Sequence, residues 1–181
     1  MQGQLLTKVY ASDRGRLDAD LRRGLRRVTP LSQERRQDKP KGKRKRYAVG
    51  TVVPVPLNGR RVFAFVHCRQ DLDLTTHTTA AELRHSLDQL WRSVRVHGLL
   101  KPVAIPLVGA GLARVTGISR EQLVIMIIDT FVASCRDDRS TQELRIVVRP
   151  SDLGRLGISE VARFVEALDQ DGARPDDRVE N

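Results

Sequence analysis

A strand pattern followed at once by a glycine-rich turn and a helix start constrains this chain more than any other feature. It lies in residues 101–119, KPVAIPLVGAGLARVTGIS, where the apolar run 102–107 predicts a buried strand. Gly109 and Gly111 predict a tight turn after the strand, and Ser119 opens a predicted helix. This order is typical of phosphate sites in α/β proteins, because glycines let the loop amides approach an anion closely.

Strands and helices alternate from residue 61 onwards. The predicted strands are 61–66, 102–107 and 144–148, and the predicted helices are 79–97, 119–134 and 158–168. Capping boxes support the first two helices, since Glu82 follows Thr79, and Gln122 follows Ser119, at the required spacing. The alternation predicts a layered α/β domain with largely parallel pairing in its second half.

Apolar residues at helical spacing predict which side chains form the core. In the first helix the expected buried residues are Leu83, Leu87, Leu90, Trp91 and Val94. In the last helix they are Val161, Phe164, Val165 and Leu168. The middle helix is apolar on most sides, which predicts that it is well buried.

A hairpin is predicted before these elements. Residues 47–56 and 61–66 are rich in β-branched and aromatic residues, and Asn58-Gly59 between them favours a two-residue turn. Pro54 and Pro56 predict that this end of the first strand either frays or lies at an edge, because proline lacks the amide that a central strand needs.

Gly50 and Thr51, inside the first strand of this hairpin, form a second candidate site. Glycine within a strand marks either a bulge or a close backbone approach, and Thr51 adds a hydroxyl there. A plain structural bulge is at least as well supported by the sequence as a ligand contact.

The loop after the strand 102–107 is the first candidate site. Its expected ligand-binding residues are Val108, Gly109, Ala110, Gly111 and Leu112. Ligands of open α/β sheets bind at the carboxyl ends of strands, where this loop lies. The alternative is a tight turn whose glycines serve only packing. Arg114 is either a bidentate phosphate contact or a solvated arginine, and no catalytic residue is predicted.

The net charge of +10 belongs to one end of the chain. Residues 1–46 hold 15 basic and 5 acidic residues, whereas the remainder holds 17 of each. Residues 17–25 predict a basic helix with a narrow apolar stripe, and 29–46 predict a mobile loop. The run 39–46, KPKGKRKR, is interpreted as a solvated loop in preference to a nucleic-acid contact, since no aromatic residues are interleaved with it.

Several functional classes lack support in the sequence. Cys68 and Cys135 form no metal-binding motif, and the four histidines have no metal spacing, so neither a metal nor a cofactor is predicted. No signal peptide is visible, and the longest apolar run, 123–128, is too short to span a membrane. A cytoplasmic protein without a membrane partner is expected.

Five segments together resemble the bacterial macro-domain-like proteins, in particular the macro modules associated with Thoeris anti-phage defence. They are YAVGTV, FAFVHC, LDQLWRSV, PVAIPLVGAGLARVTGIS and LRIVV. The resemblance covers residues 47–168 and, more faintly, 3–25. It implies a three-layer α/β/α sandwich with a mixed sheet, in which residues 108–112 wrap the diphosphate of ADP-ribose. It also implies a nucleotide sensor for defence that acts with a TIR-domain or effector partner.

The sequence departs from the macro pattern in two ways. The N-terminal strand pair, with an aspartate for adenine and an Asn-rich loop, does not precede residue 2, so the chain is expected to begin inside the family pattern. The Asn/Gly constellation of ADP-ribosyl hydrolases is also missing, which argues against hydrolysis. The alternatives to nucleotide binding are such a hydrolase and a nucleic-acid module acting through residues 39–46.

These patterns divide the chain into three parts. The first is a basic segment, 1–46, with one helix and a mobile loop. A macro-like α/β domain follows at 47–168, and residues 169–181 are expected to form a disordered polar tail.

Overall fold

The computed structural model describes residue 10 and residues 13–57, 59–111, 115–136 and 141–172. The helices are α1 (Arg14–Gly24), α2 (Ala80–His97), α3 (Arg120–Cys135), α4 (Pro150–Leu153) and α5 (Ile158–Gly172), with a 3₁₀ turn at Leu25–Arg27. The strands are β1 (Ser32–Gln33), β2 (Lys45–Arg46), β3 (Val52–Leu57), β4 (Arg60–Phe65), β5 (Arg69–Gln70), β6 (Thr76–His77), β7 (Val103–Pro106) and β8 (Leu144–Val147).

The hairpin of β3 and β4 is confirmed. Its strands are antiparallel, and Leu57 pairs with Arg60, so two residues form the turn. Gly59 has φ +73°, a conformation that glycine adopts without steric cost, while Asn58 lies outside the described residues. Both prolines lie within β3, which pairs only with β4 among the described strands, in keeping with the predicted edge position.

The parallel pairing predicted for the second half is also confirmed. Strand β7 pairs in parallel with β8, with Ile105 opposite Ile146, and α3 forms part of the connection between the two strands. Parallel strands require such a crossover, because a tight turn cannot return the chain to the same edge.

Antiparallel and parallel pairs coexist, so the fold is mixed α/β. Among the described residues the strands pair only in twos, in four separate sheets. The single mixed sheet of a three-layer α/β/α sandwich therefore stays a prediction, as do the domain boundaries at residues 46 and 168.

Helix α2 forms as predicted and supplies half of the buried residues of the main core cluster. Its capping box is complete, since the Thr79 hydroxyl accepts from the Glu82 amide at 3.2 Å and Glu82 accepts from the Thr79 amide at 3.0 Å. The whole predicted stripe is buried: Leu83, Leu87, Leu90, Trp91 and Val94. Burial of a large aliphatic side chain contributes about 1.5–3 kcal/mol, so this stripe anchors the fold.

Trp91 joins α2 to α3. Its indole Nε1 donates to Thr130 Oγ1 at 2.9 Å, and its ring meets that of Phe131 edge to face, with centroids 5.3 Å apart. Both Trp91 and Thr130 are fully buried. The hydroxyl satisfies the one polar group of the tryptophan, which permits its complete burial.

Helix α5 differs from its prediction in two respects. It extends to Gly172, four residues into the segment expected to be a disordered tail, and residues 173–181 lie outside the described part. The expected burial of Val165 is wrong, because its side chain is 39% exposed, and its three apolar neighbours on the stripe are only half-buried. The helix packs against α3 on one side and leaves its flank open.

The N-terminal segment packs against the same fold. The basic helix is confirmed as α1, and its buried Leu17 packs with Leu57 of β3 and with Tyr10. Where a mobile loop is predicted, Ser32–Gln33 pairs with Lys45–Arg46 as a short antiparallel ladder.

Candidate ligand-binding site

The glycine loop begins at the carboxyl end of β7, as predicted. Leu107 still follows the strand, since its amide donates to the Val147 carbonyl at 3.0 Å. Val108 is only 3% exposed and belongs to the main core cluster. Beyond it, the Val115 amide donates to the Gly109 carbonyl at 3.1 Å, which ties the far end of the loop back to its start.

Gly109 is required by the packing of the core. Its φ is +83°, in the left-handed region. A Cβ there would lie 3.0 Å from Leu83 Cδ2, 3.0 Å from Leu123 Cδ2 and 3.2 Å from Val115 Cγ2. A side chain would therefore be strained by the backbone and crowded by its neighbours. Packing and backbone conformation alone therefore account for a glycine at this position.

Gly111 has a different environment. It is exposed, and a Cβ built on it would meet no atom of the described residues within 4 Å. Its φ lies outside the positive range, so neither backbone strain nor packing by the described residues demands a glycine here.

Four consecutive amides at the start of the loop lack an acceptor among the described residues. Val108, Gly109, Ala110 and Gly111 donate no backbone hydrogen bond to any described residue. Val108 and Gly109 are nevertheless buried, where an unpaired amide is costly. Four consecutive donors beside a buried strand end are suited to several oxygens of one anion.

The start of α3 contributes less to such a site than the sequence pattern suggests. Its capping box is complete, because Ser119 Oγ accepts from the Gln122 amide and Gln122 accepts from the Ser119 amide. Glu121 in the first turn accepts from the Gly157 amide at 2.5 Å, and this bond lowers the pKa of the carboxyl to about 2. The helix end thus carries a negative charge of its own, and the amides of Gln122 and Leu123 are already bonded to Ser119.

The second candidate, at Gly50 and Thr51, is a structural bulge. The Gly50 amide donates to Val66 at 2.8 Å, while the Val66 amide donates to Thr51 at 2.9 Å, so two residues face one. With φ +90° at Gly50, this is a bulge of the type that requires glycine at its first position, and it increases the local twist of the strand. The Thr51 amide also closes a turn onto Ala48 at 3.0 Å.

Gly50 also permits a close approach to α2, a partner that the sequence pattern does not identify. A Cβ on Gly50 would lie 2.6 Å from His85 Nε2 and 3.3 Å from Gln89 Cγ. An open groove of about 310 Å³ runs beside this contact. It is lined by Gly50, Val52, Gln89, Arg92, Ser93, Val96 and His97.

The described structure does not join the two candidate sites into one pocket. Gly109 packs against the buried Leu83, whereas Gly50 packs against the exposed His85 on another side of α2. No residue of the loop 108–111 lines the groove beside Gly50. Leu112 and Arg114, the remaining predicted ligand residues, lie outside the described residues.

A match to a protein-family model identifies the family of this chain. A family model described as Thoeris protein ThsA, Macro domain, matches residues 1–149. The chain belongs to this family. The resemblance drawn from the five segments is thereby confirmed, and the macro domain's α/β class agrees with the observed elements. Among curated proteins, none matches the chain.

Two titratable groups follow β4 in this macro domain, and neither is activated. Burial lowers the pKa of His67, which favours the neutral imidazole. Burial, with a contribution from Glu82, raises the pKa of the Cys68 thiol, which keeps it protonated near neutrality. Neither group has the electrostatic setting of a nucleophile or a charged acid.

The described part of the macro domain contains neither a metal-binding cluster nor a membrane-spanning helix. No group of three or more His, Cys, Asp or Glu side chains is placed to hold a metal ion there. None of its helices is long and apolar enough to cross a membrane.

Proposed function

We propose that this macro domain binds an ADP-ribose-type nucleotide and that the amides of residues 108–112 hold its diphosphate. The observation that carries the proposal is the run of four amides at 108–111 with no acceptor among the described residues. Membership of the Thoeris ThsA macro-domain family supports the nucleotide class.

The chemistry of the loop suits a diphosphate. Residues 107–115, LVGAGLARV, contain no acidic side chain and one cation, Arg114. Hydrogen bonds from amides to an anionic oxygen are about twice as strong as those to a neutral acceptor. An anion is therefore preferred over a neutral ligand here. Arg114 and Leu112 are retained as proposed contacts, and Gly50 and Thr51 as weaker ones.

The proposed role is the sensing of a nucleotide signal in anti-phage defence, with output through a TIR-domain or effector partner. The family supports this role, because it is defined by a Thoeris protein. Binding without catalysis is proposed because burial favours the neutral forms of His67 and Cys68, the two titratable groups that follow β4.

Calorimetric titration with ADP-ribose tests the proposal. The wild-type protein is expected to bind, and Gly111→Val is expected to abolish binding, since the new side chain fills the open space in front of the amides. Gly154→Val is the matched control, because Gly154 is likewise exposed and its Cβ would also meet nothing within 4 Å.

Both variants are expected to unfold at the wild-type temperature, which separates a lost site from a lost fold. Failure of the wild type to bind ADP-ribose, or equal affinity in Gly111→Val, overturns the assignment of the loop. The same samples are expected to release no ADP-ribose from a mono-ADP-ribosylated protein. If ADP-ribose is released, the function is hydrolysis and not binding alone.

A further inference from the structure

The N-terminal segment carries an exposed set of cations that the nucleotide site does not use. These residues, here called the basic surface, are Arg26, Arg27, Arg36, Lys41, Arg44 and Lys45. All six are exposed, and none has an acidic partner within 4 Å among the described residues. The chain after residue 46 is neutral, so its whole excess of charge lies before that point.

Other basic residues of the same segment hold it in a defined shape. The ion pairs are Lys43 with Asp18 at 2.6 Å, Arg46 with Glu34 at 2.6 Å and Arg35 with Asp38 at 2.7 Å. The pair of Lys43 and Asp18 fastens the hairpin of β1 and β2 to α1. Lys41 and Arg44 lie within two residues of Lys43, so this ion pair also holds the backbone that carries them near α1.

A buried lysine adds to this order. Lys39 is 2% exposed, and its Nζ donates to Gln70 Oε1 at 3.3 Å. A guanidinium nitrogen of Arg46 donates to the Gln70 carbonyl as well. The segment is therefore docked on the β5–β6 hairpin, and its exposed cations are held on a folded support instead of a free chain.

The neighbouring side chains narrow the class of polyanion. The apolar side of α1 faces the protein through Leu17 and Leu21, so the helix has no apolar face to insert into a bilayer. Tyr10 is buried with its hydroxyl on Asp20, and no exposed aromatic ring accompanies the cations in residues 13–46. Without stacking rings, unpaired bases gain little from this surface.

We propose that the basic surface binds the phosphate backbone of duplex nucleic acid, without reading base sequence, as a second activity of this chain. Arginine and lysine contacts to backbone phosphates release condensed counterions, which supplies the affinity. Such contacts position a protein on a duplex and carry no sequence information directly. The surface is separate from the glycine loop, and its binding does not depend on a nucleotide ligand.

Fluorescence anisotropy with a labelled DNA duplex, repeated at several salt concentrations, tests this proposal. The triple variant Lys41→Gln, Arg44→Gln, Lys45→Gln removes half of the basic surface. Each phosphate contact contributes about 0.9 to the slope of log affinity against log salt, so the slope is expected to fall by up to about 3. Two duplexes of unrelated sequence are expected to bind equally.

A matched control removes the same charge elsewhere. The substitutions Lys101→Gln, Arg136→Gln and Arg155→Gln remove three exposed cations that make no ion pair among the described residues. This variant is expected to keep the wild-type slope. Equal slopes in the two triple variants would mean that net charge alone drives association, and would overturn the proposal.

Three other outcomes also overturn it: no duplex binding at low salt, tighter binding to single strands than to the duplex, and tighter binding to phosphatidylserine vesicles than to the duplex. The Gly111→Val variant is expected to bind the duplex as the wild type does. The duplex assay therefore succeeds or fails independently of the ADP-ribose titration.

Discussion

Replacing Gly109 by alanine tests whether the glycine loop is built into the core. At φ +83° a left-handed conformation costs an L-residue about 1–2 kcal/mol. The added methyl would also lie 3.0 Å from both Leu83 Cδ2 and Leu123 Cδ2, and overpacking of a dense core costs about 1–3 kcal/mol. The free energy of unfolding is therefore expected to fall by about 2–5 kcal/mol.

Urea denaturation followed by tryptophan fluorescence measures this loss. Trp91 is the single tryptophan of the chain and is fully buried between α2 and α3, so its emission reports on the core that Gly109 contacts. Gly111→Ala is the control in the same loop. Its methyl meets nothing within 4 Å, and the expected change is within about 0.5 kcal/mol of wild type.

A double-mutant cycle separates crowding from backbone strain. Leu123→Ala removes one of the two methyls that crowd the new side chain at Gly109. If crowding contributes, the double variant loses about 0.5–3 kcal/mol less than the sum of the two single variants. The reasoning is refuted if Gly109→Ala is as stable as Gly111→Ala, because the close contacts would then carry no energy.

Two further predictions concern the helices. Thr130→Val is expected to lower the free energy of unfolding by about 1–3 kcal/mol, because it leaves the buried indole N–H of Trp91 without an acceptor; unchanged urea denaturation followed by circular dichroism would contradict this. Glu121→Gln is expected to reduce the loss of stability in acid. The pKa of Glu121 falls from 4.5 to about 2 on folding, so its contribution is full above pH 4.5 and disappears as the pH falls through about 2. If the urea midpoints of the wild type and of Glu121→Gln fall equally between pH 4.5 and about 2, the bond from Gly157 to Glu121 does not contribute to stability.

The elements that the sequence predicts well are those specified by local chemistry. Helix α2 begins where Thr79 and Glu82 can cap each other, and its buried stripe follows from helical spacing alone. The hairpin turn follows in the same way from Asn58 and Gly59, since few residue pairs tolerate the backbone of a two-residue turn. Each of these features is decided within one or two turns of chain.

Features that depend on distant partners escape sequence reasoning. The bulge at Gly50 is predictable from one glycine in a strand, but its contact with His85 joins residues that lie 35 positions apart. The basic composition of residues 29–46 predicts a mobile loop and not the β1–β2 ladder. The ladder is held in place by contacts of its basic residues with Asp18, Glu34 and Gln70. The exposure of Val165 depends on how much of α5 its neighbours cover, which a periodic pattern cannot specify.

The glycine loop contains both kinds of feature, local and dependent on distant partners, within three residues. Gly109 and Gly111 are equivalent in the sequence, yet one is packed by Leu83 and Leu123 and the other faces open space. Because the core packs around Gly109, the backbone at that residue is held in place, and the proposed binding of an anion would lose little further conformational entropy there. A substitution at Gly109 should therefore alter stability and affinity together, whereas one at Gly111 should alter affinity alone. That separation is what a preorganised anion site requires and what a turn serving only packing would not produce.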